Sequence, residues 1–313
     1  MTVPEFAEFH AELRSVASDL LAKDRAVDWA SLVDAGWVGL EVPEQAGGAG
    51  ATFAEVAVIC EEMGRAASAN NYLGGAVLAV GVLNMLQPST TRDRLLADVA
   101  SGAVRVAVAL ESEFVPDAEG ADCILLIADE DVAVATATAT PQPVLDETRR
   151  LASVGDVQIS ERLRLAGDIQ RLRQRAAVAV ACDSLGLSEA MLSATVGYAK
   201  VRHQFGRPIG SFQAVKHACA DMAVNIAVAR QLVDAAVQAI VDDHTDAGVA
   251  AAMAKSYVCS TAVDIAGKAM QLHGGIGYTW ESGIHVYLKR AALNRSLFGS
   301  PAEHRRHLAK RYR

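Results

Sequence analysis

Two short stretches gather residue types suited to gripping a flat, anionic ligand. In the first, Arg202-His-Gln-Phe-Gly-Arg-Pro-Ile-Gly-Ser-Phe-Gln-Ala-Val-Lys216, a guanidinium, a planar amide and two aromatic rings crowd around one turn. Gly206, Pro208 and Gly210 interrupt the helical pattern on either side. Ser211 is placed to cap the next helix, with Phe212 and Gln213 in its first turn, where backbone N–H groups lack partners. Arg202 can offer a planar fork to a pyrophosphate, and Gln204 can hydrogen-bond that group or the adjoining ribose. Phe205 can lie against an adenine. The plainer alternative has Arg202 balancing a helix dipole and Phe205 in the core. The second stretch is Gln271-Leu-His-Gly-Gly-Ile-Gly-Tyr278. Gly274, Gly275 and Gly277 permit positive φ and leave room for a ligand against the backbone; an ordinary helix C-cap would use the same residue type.

Other polar residues carry less. His203 and His273 adjoin these stretches without a serine or cysteine arrangement suggesting a triad. Asp242, Asp243, His244 and Asp246 are crowded in a polar turn and read as solvated, so no metal is expected. Glu281 follows the glycine turn, where a helix start gives it a structural reason to be acidic. Arg305, Arg306, Lys310, Arg311 and Arg313 make a basic C-terminal helix; dipole compensation and solubility suffice to explain it, and contact with an anionic CoA phosphate is the alternative.

The elements that must position these residues are mainly helical. Residues 1–107 read as an N-terminal helical domain. Phe6, Phe9, Leu13, Val16, Leu20 and Leu21 form a stripe, and Thr52 with Glu55 forms a capping box. Residues 108–167 read as a reduced domain of short strands, punctuated by Pro141 and Pro143. Residues 168–313 read as a C-terminal helical bundle: helices from Asp168 to Lys200, Phe212 to Asp243, Gly248 to Leu272 and onward through Leu297. Ser300-Pro301 then opens a last helix. In the 313 residues the hydrophobic fraction is 51% and the aromatic fraction 5%, which suits closely packed helices. A net charge of −8 provides no basic field for nucleic acid. Cys60, Cys123, Cys182, Cys219 and Cys259 are odd in number and widely spaced, pointing to reduced thiols. With no signal-peptide pattern and no contiguous apolar run near the roughly 20 residues of a membrane span, a cytoplasmic protein is expected, without membrane insertion.

The Arg202 stretch resembles the flavin-contacting turn of the acyl-CoA dehydrogenases, and the Gln271 stretch resembles a second motif of that family. Gly36-Trp37, Val42-Pro43-Glu44, Gly47-Gly48 and Glu61-Glu62-Met-Gly64-Arg65 resemble its N-terminal helical domain. The resemblance implies that fold and FAD as cofactor. It also implies flavin contacts from Arg202, Gln204, Phe205, Gln213, Gln271, Gly274 and Gly275, made to a dinucleotide held mainly by a neighbouring subunit.

The same resemblance exposes two losses. The flavin-covering stretch of the family's longer β-domain is missing here. The family places its proton-abstracting carboxylate at one of two positions, and these hold Phe298, within Leu297-Phe-Gly-Ser300, and Ala176. Neither side chain accepts a proton. The resemblance therefore implies the smaller subunit of a heteromeric acyl-CoA dehydrogenase, of the actinobacterial kind acting on steroid-derived CoA thioesters. A larger homologous partner, in an α2β2 complex, would bind most of the acyl-CoA and supply the base. The alternatives are a homomeric dehydrogenase using Glu281, or a structural or regulatory subunit without flavin.

Overall fold

The computed structural model describes residues 3–128 and 130–310, with side chains in the first helix from Glu8 onward. Phe6, Arg311 and Arg313 of the sequence reading lie outside the residues so described. The chain forms two compact units: Met1–Ile59 with Ser68–Ala179, and Cys60–Ala67 with Val180–Arg313.

The first unit begins with helices α1 (Val3–Leu21) and α2 (Trp29–Asp34) and the first half of α3 (Phe53–Ala66). A π-helical segment, Leu73–Leu78, leads into α4 (Ala79–Asn84), and α5 (Thr90–Ala100) follows. The expected capping box forms at α3. Glu55 Oε2 accepts the Thr52 N–H at 2.8 Å, and Thr52 Oγ1 accepts the Ala54 N–H at 3.2 Å. His10 Nε2 stands 2.6 Å from Glu55 Oε1. Burial raises the affinity of Glu55 for its proton, but hydrogen bonds from His10 and Thr52 outweigh it and hold the carboxyl below its usual range. The α1 stripe needs correcting: Ala17 and Leu21 are buried, whereas Phe9 and Val16 are exposed. The buried arc is rotated toward the His10 side, where the link to Glu55 holds the helix.

Five strands follow: β1 (Val106–Ala109), β2 (Val115–Pro116), β3 (Cys123–Ile127), β4 (Asp131–Pro141) and β5 (Leu151–Arg164). Their order is β1-β3-β4-β5-β2, with β1 parallel to β3 and the other pairs antiparallel. Strands β4 and β5 are longer than the short strands the sequence predicts. Pro141 ends β4 instead of interrupting it, so the hairpin ladder runs its full length, with two register shifts.

The second unit holds most of α6 (Gln170–Val201), a small hairpin of β6 (His203–Gln204) and β7 (Arg207–Pro208), α7 (Gln213–Val241), α8 (Ala247–His273), α9 (Ile284–Ser296) and α10 (Pro301–Lys310). Asp168 caps α6 by accepting the Gln170 N–H at 2.8 Å. Ser300 and Glu303 make a reciprocal capping box on α10. Within this unit α3 and α6 meet through paired glycines. A Cβ on Gly64 would lie 1.8 Å from the Asp183 carbonyl oxygen, and one on Gly186 would lie 1.9 Å from that of Glu61. Around this crossing Arg65 and Arg230 bind Glu61 and Glu189, with Glu62 also bound to Arg65. No disulfide joins the five cysteines.

Two helices correct the expectation about apolar runs. Gln170–Val201 and Gln213–Val241 are each long and apolar enough, by length and composition, to cross a membrane. Their apolar character is spread over helical windows interrupted by polar residues, which a search for contiguous runs passes over. The α6 window is 78% buried and behaves as a core helix; that of α7 is 22% buried.

Candidate functional site

The Arg202 stretch folds as a compact reverse turn fixed at its base. The Arg202 N–H ends α6 on the Tyr198 carbonyl at 2.9 Å, and Ile209 N–H returns to the Arg202 carbonyl at 2.8 Å. Gln204 pairs with Arg207 across the hairpin, leaving Phe205 and Gly206 at the tip with φ of 53° and 77°. Positive φ at both central residues matches the right-handed twist of a tight hairpin, but is uncommon for phenylalanine. Phe205 is 90% exposed there, so the core alternative is excluded. The Arg207 guanidinium lies 4.2 Å over the Phe212 ring, and Phe205 meets that ring edge-on at 6.1 Å. Arg207 thus braces the turn, a role the sequence reading missed although the residue stood inside the motif.

The cap needs correcting as well. Ser211 lies in a 3-10 turn, Ile209–Ser211, and its hydroxyl donates to the Pro208 carbonyl at 2.7 Å. Phe212 becomes the N-cap of α7, with no side-chain cap bond. Gln213 is the first helical residue, exposed beside N–H groups that no side chain satisfies. Arg202, Gln204 and Gln213 are all exposed, and their side chains make no hydrogen bond or ion pair among the described residues.

The second stretch closes α8. Gly274 adopts φ 62° and ψ −143°, a conformation nearly restricted to glycine, and its N–H bonds the Gln271 carbonyl. A Cβ on Gly274 or Gly275 would meet no protein atom, so the space over this backbone is open. Gln271 is exposed, and its amide oxygen accepts from Lys268 Nζ at 3.1 Å. His273 is buried, bonds the Ala269 carbonyl through Nδ1 at 2.7 Å, and stacks on Tyr198 with ring centroids 4.5 Å apart. That stack joins the roots of the two turns. The position of Tyr198, one helical turn before Arg202, is the signal that could have found it.

The remaining candidates fall elsewhere. Glu281 is exposed in a 3-10 turn, Trp280–Ser282, which precedes α9 and so lies outside the helix start the sequence suggests. Ala176 is fully buried within α6. Phe298 follows α9 with φ 57°, its carbonyl bonded by His304 Nε2 at 3.0 Å. The next carbonyl, that of Gly299, accepts from the fully buried Lys255 at 2.9 Å, as does that of Asn294. Burial pushes the pKa of both Lys255 and His304 down. Asp242, His244 and Asp246 serve a turn: Gln238 donates to Asp242, and the Asp246 N–H donates to His244 Nδ1.

Residues 2–103 match the acyl-CoA dehydrogenase N-terminal domain, and residues 169–312 match the acyl-CoA dehydrogenase C-terminal domain. The chain belongs to the acyl-CoA dehydrogenase family. It is an oxidoreductase of a family that uses FAD, with that family's fold of two helical domains flanking a small sheet. The acyl-CoA dehydrogenase IpdE2 of Mycolicibacterium smegmatis is 37% identical over 313 residues, covering 98% of this chain and 95% of the relative. Among solved structures, the Tcur3481-Tcur3483 steroid acyl-CoA dehydrogenase superposes with a TM-score of 0.87 at 24% identity, covering 97% of each chain. The ChsE4-ChsE5 complex of Mycobacterium tuberculosis gives 0.86 at 21% identity, covering 96% of each chain. These two likenesses show the fold. The exposed Arg202 fork, the open glycine backbone and the uncapped α7 start fit the phosphates and adenosine of FAD.

Proposed function

We propose that this acyl-CoA dehydrogenase chain is one subunit of a heteromeric enzyme, closing the adenosine end of an FAD site whose larger partner supplies the catalytic base. The carrying observation is the outward-facing Arg202–Phe205 turn, where the Arg202 and Gln204 side chains make no hydrogen bond or ion pair among the described residues, combined with Phe298 and Ala176 at the positions where the resemblance puts the family's carboxylate. A phenylalanine held 90% exposed is a side chain awaiting cover.

Arg202 would hold the pyrophosphate, Gln204 and Gln213 the adjoining polar groups, and Phe205 an apolar face. Gly274 and Gly275 would admit the dinucleotide against bare backbone, with the Gln271 amide donating. FAD supplies the hydride acceptor for α,β-desaturation of an acyl-CoA thioester. This chain's residues bind and orient; the proton leaves to a carboxylate on the partner. The names of the two structural neighbours, each joining two proteins and one specifying a steroid enzyme, support a paired assembly and a steroid-derived acyl group.

Co-expression with a larger homologous subunit tests the reading. Flavin should co-purify with the complex and not with this chain alone. Arg202→Ala should weaken retention about tenfold, or about 1.4 kcal/mol. Flavin and turnover from this chain alone would instead support the homomer using Glu281. A complex whose flavin content ignores Arg202 would support a scaffold.

A further inference from the structure

Each candidate turn is built on an aromatic ring. Below the Arg202 turn, the Tyr198 carbonyl accepts the Arg202 N–H. The 3-10 turn that follows the hairpin presses on the neighbouring residue, where a Cβ on Gly210 would come within 2.9 Å of the Ala199 carbonyl oxygen. Below the glycine turn, His273 is the last residue of α8 and is 8% exposed. The turn wraps back onto it, for a Cβ on Gly277 would lie 2.5 Å from the Met270 carbonyl oxygen and 3.1 Å from His273 Cβ. The two rings then stack, with centroids 4.5 Å apart and planes inclined by 22°.

We propose that the Tyr198–His273 stack is the joint that sets the gap between the two turns, making both residues positioning residues for the dinucleotide. The inference rests on the FAD-clamp reading above and adds to it what holds the clamp at its working width. Donation from Nδ1–H to the Ala269 carbonyl fixes the imidazole's tautomer and orientation. The phenol ring is fixed against it by stacking, beyond what burial alone provides. A ligand gripped by two turns binds more tightly when their separation is set before it arrives, because less ordering is required on binding. Neither ring needs to touch the ligand.

The test uses the full-length chain, both alone and co-expressed with a larger homologous subunit. Tyr198→Leu keeps apolar bulk without a ring; Tyr198→Phe keeps the ring without the hydroxyl. Flavin retained per complex should fall roughly two- to tenfold in Tyr198→Leu and His273→Ala, the range a lost aromatic pair implies, and should be unchanged in Tyr198→Phe. In the chain alone, hydrogen exchange at residues 203–207 and 274–278 should quicken in Tyr198→Leu while the middle of α8 stays protected. Full flavin retention and unchanged exchange in Tyr198→Leu would overturn the proposal. Equal losses in Tyr198→Phe and Tyr198→Leu would also overturn it, since the ring would not be the operative part. If the unsubstituted complex carries no flavin, the clamp reading fails, and the exchange experiment alone still decides whether the joint exists.

Discussion

Arg290 and Asp183 form a buried two-point pair. Arg290 Nε donates to Asp183 Oδ1 at 2.9 Å and Nη2 donates to Oδ2 at 2.6 Å. Asn294 adds a bond to Asp183 Oδ1 at 2.6 Å and another to Ser184 at 3.2 Å. Removing one partner leaves an uncompensated charge in the core. Arg290→Ala should therefore cost roughly 3–5 kcal/mol of stability in urea unfolding, and the paired change Asp183→Leu with Arg290→Met should recover much of it.

The glycine crossing of α3 and α6 tolerates no side chain. Gly64→Ala and Gly186→Ala each drive a methyl group into a backbone carbonyl. Each should lower stability by about 1–3 kcal/mol, read as an earlier denaturant midpoint. Gly275→Ala meets open space, has no positive φ, and should leave that midpoint unchanged.

Acid should weaken the fold through His304. Burial, with Lys255 and His307 nearby, holds its pKa below the ordinary 6.5 despite the favourable Phe298 carbonyl and Glu303. Between the folded value and 6.5 the unfolded chain binds more protons, so stability rises with pH across that window and is lost as pH falls through it. Thermal midpoints measured from about pH 7 to about pH 5 should decline, and His304→Gln should flatten the decline. Glu55 and Glu189, both held below the usual 4.5, act lower, their contributions disappearing as pH falls through their folded values.

Phe205→Ala separates binding from folding. The side chain touches little besides the edge of Phe212. Unfolding free energy should move within about 0.5 kcal/mol, while flavin content of the complex drops.

Glu281→Gln should leave turnover of the complex within about twofold, since the carboxylate stands exposed on a 3-10 turn. A loss approaching the roughly 10²–10⁴-fold that a general base supplies would return the proton abstraction to this chain.

The helices, their caps and the two motifs were legible because local rules govern them. Asp168, Thr52 with Glu55, and Ser300 with Glu303 each satisfy backbone groups within a few residues of themselves. The reading of Phe298 and Ala176 as positions without a carboxylate rests on the family resemblance and the side-chain types alone. What tertiary structure decided was non-local. Ser211 turned from capping to closing a 3-10 turn, and Phe205 took up left-handed backbone at the tip of the hairpin. Tyr198 met His273 from a helix far away in sequence. Side-chain periodicity reports which face of one element is apolar; it carries no information about which residue of another element will arrive against it.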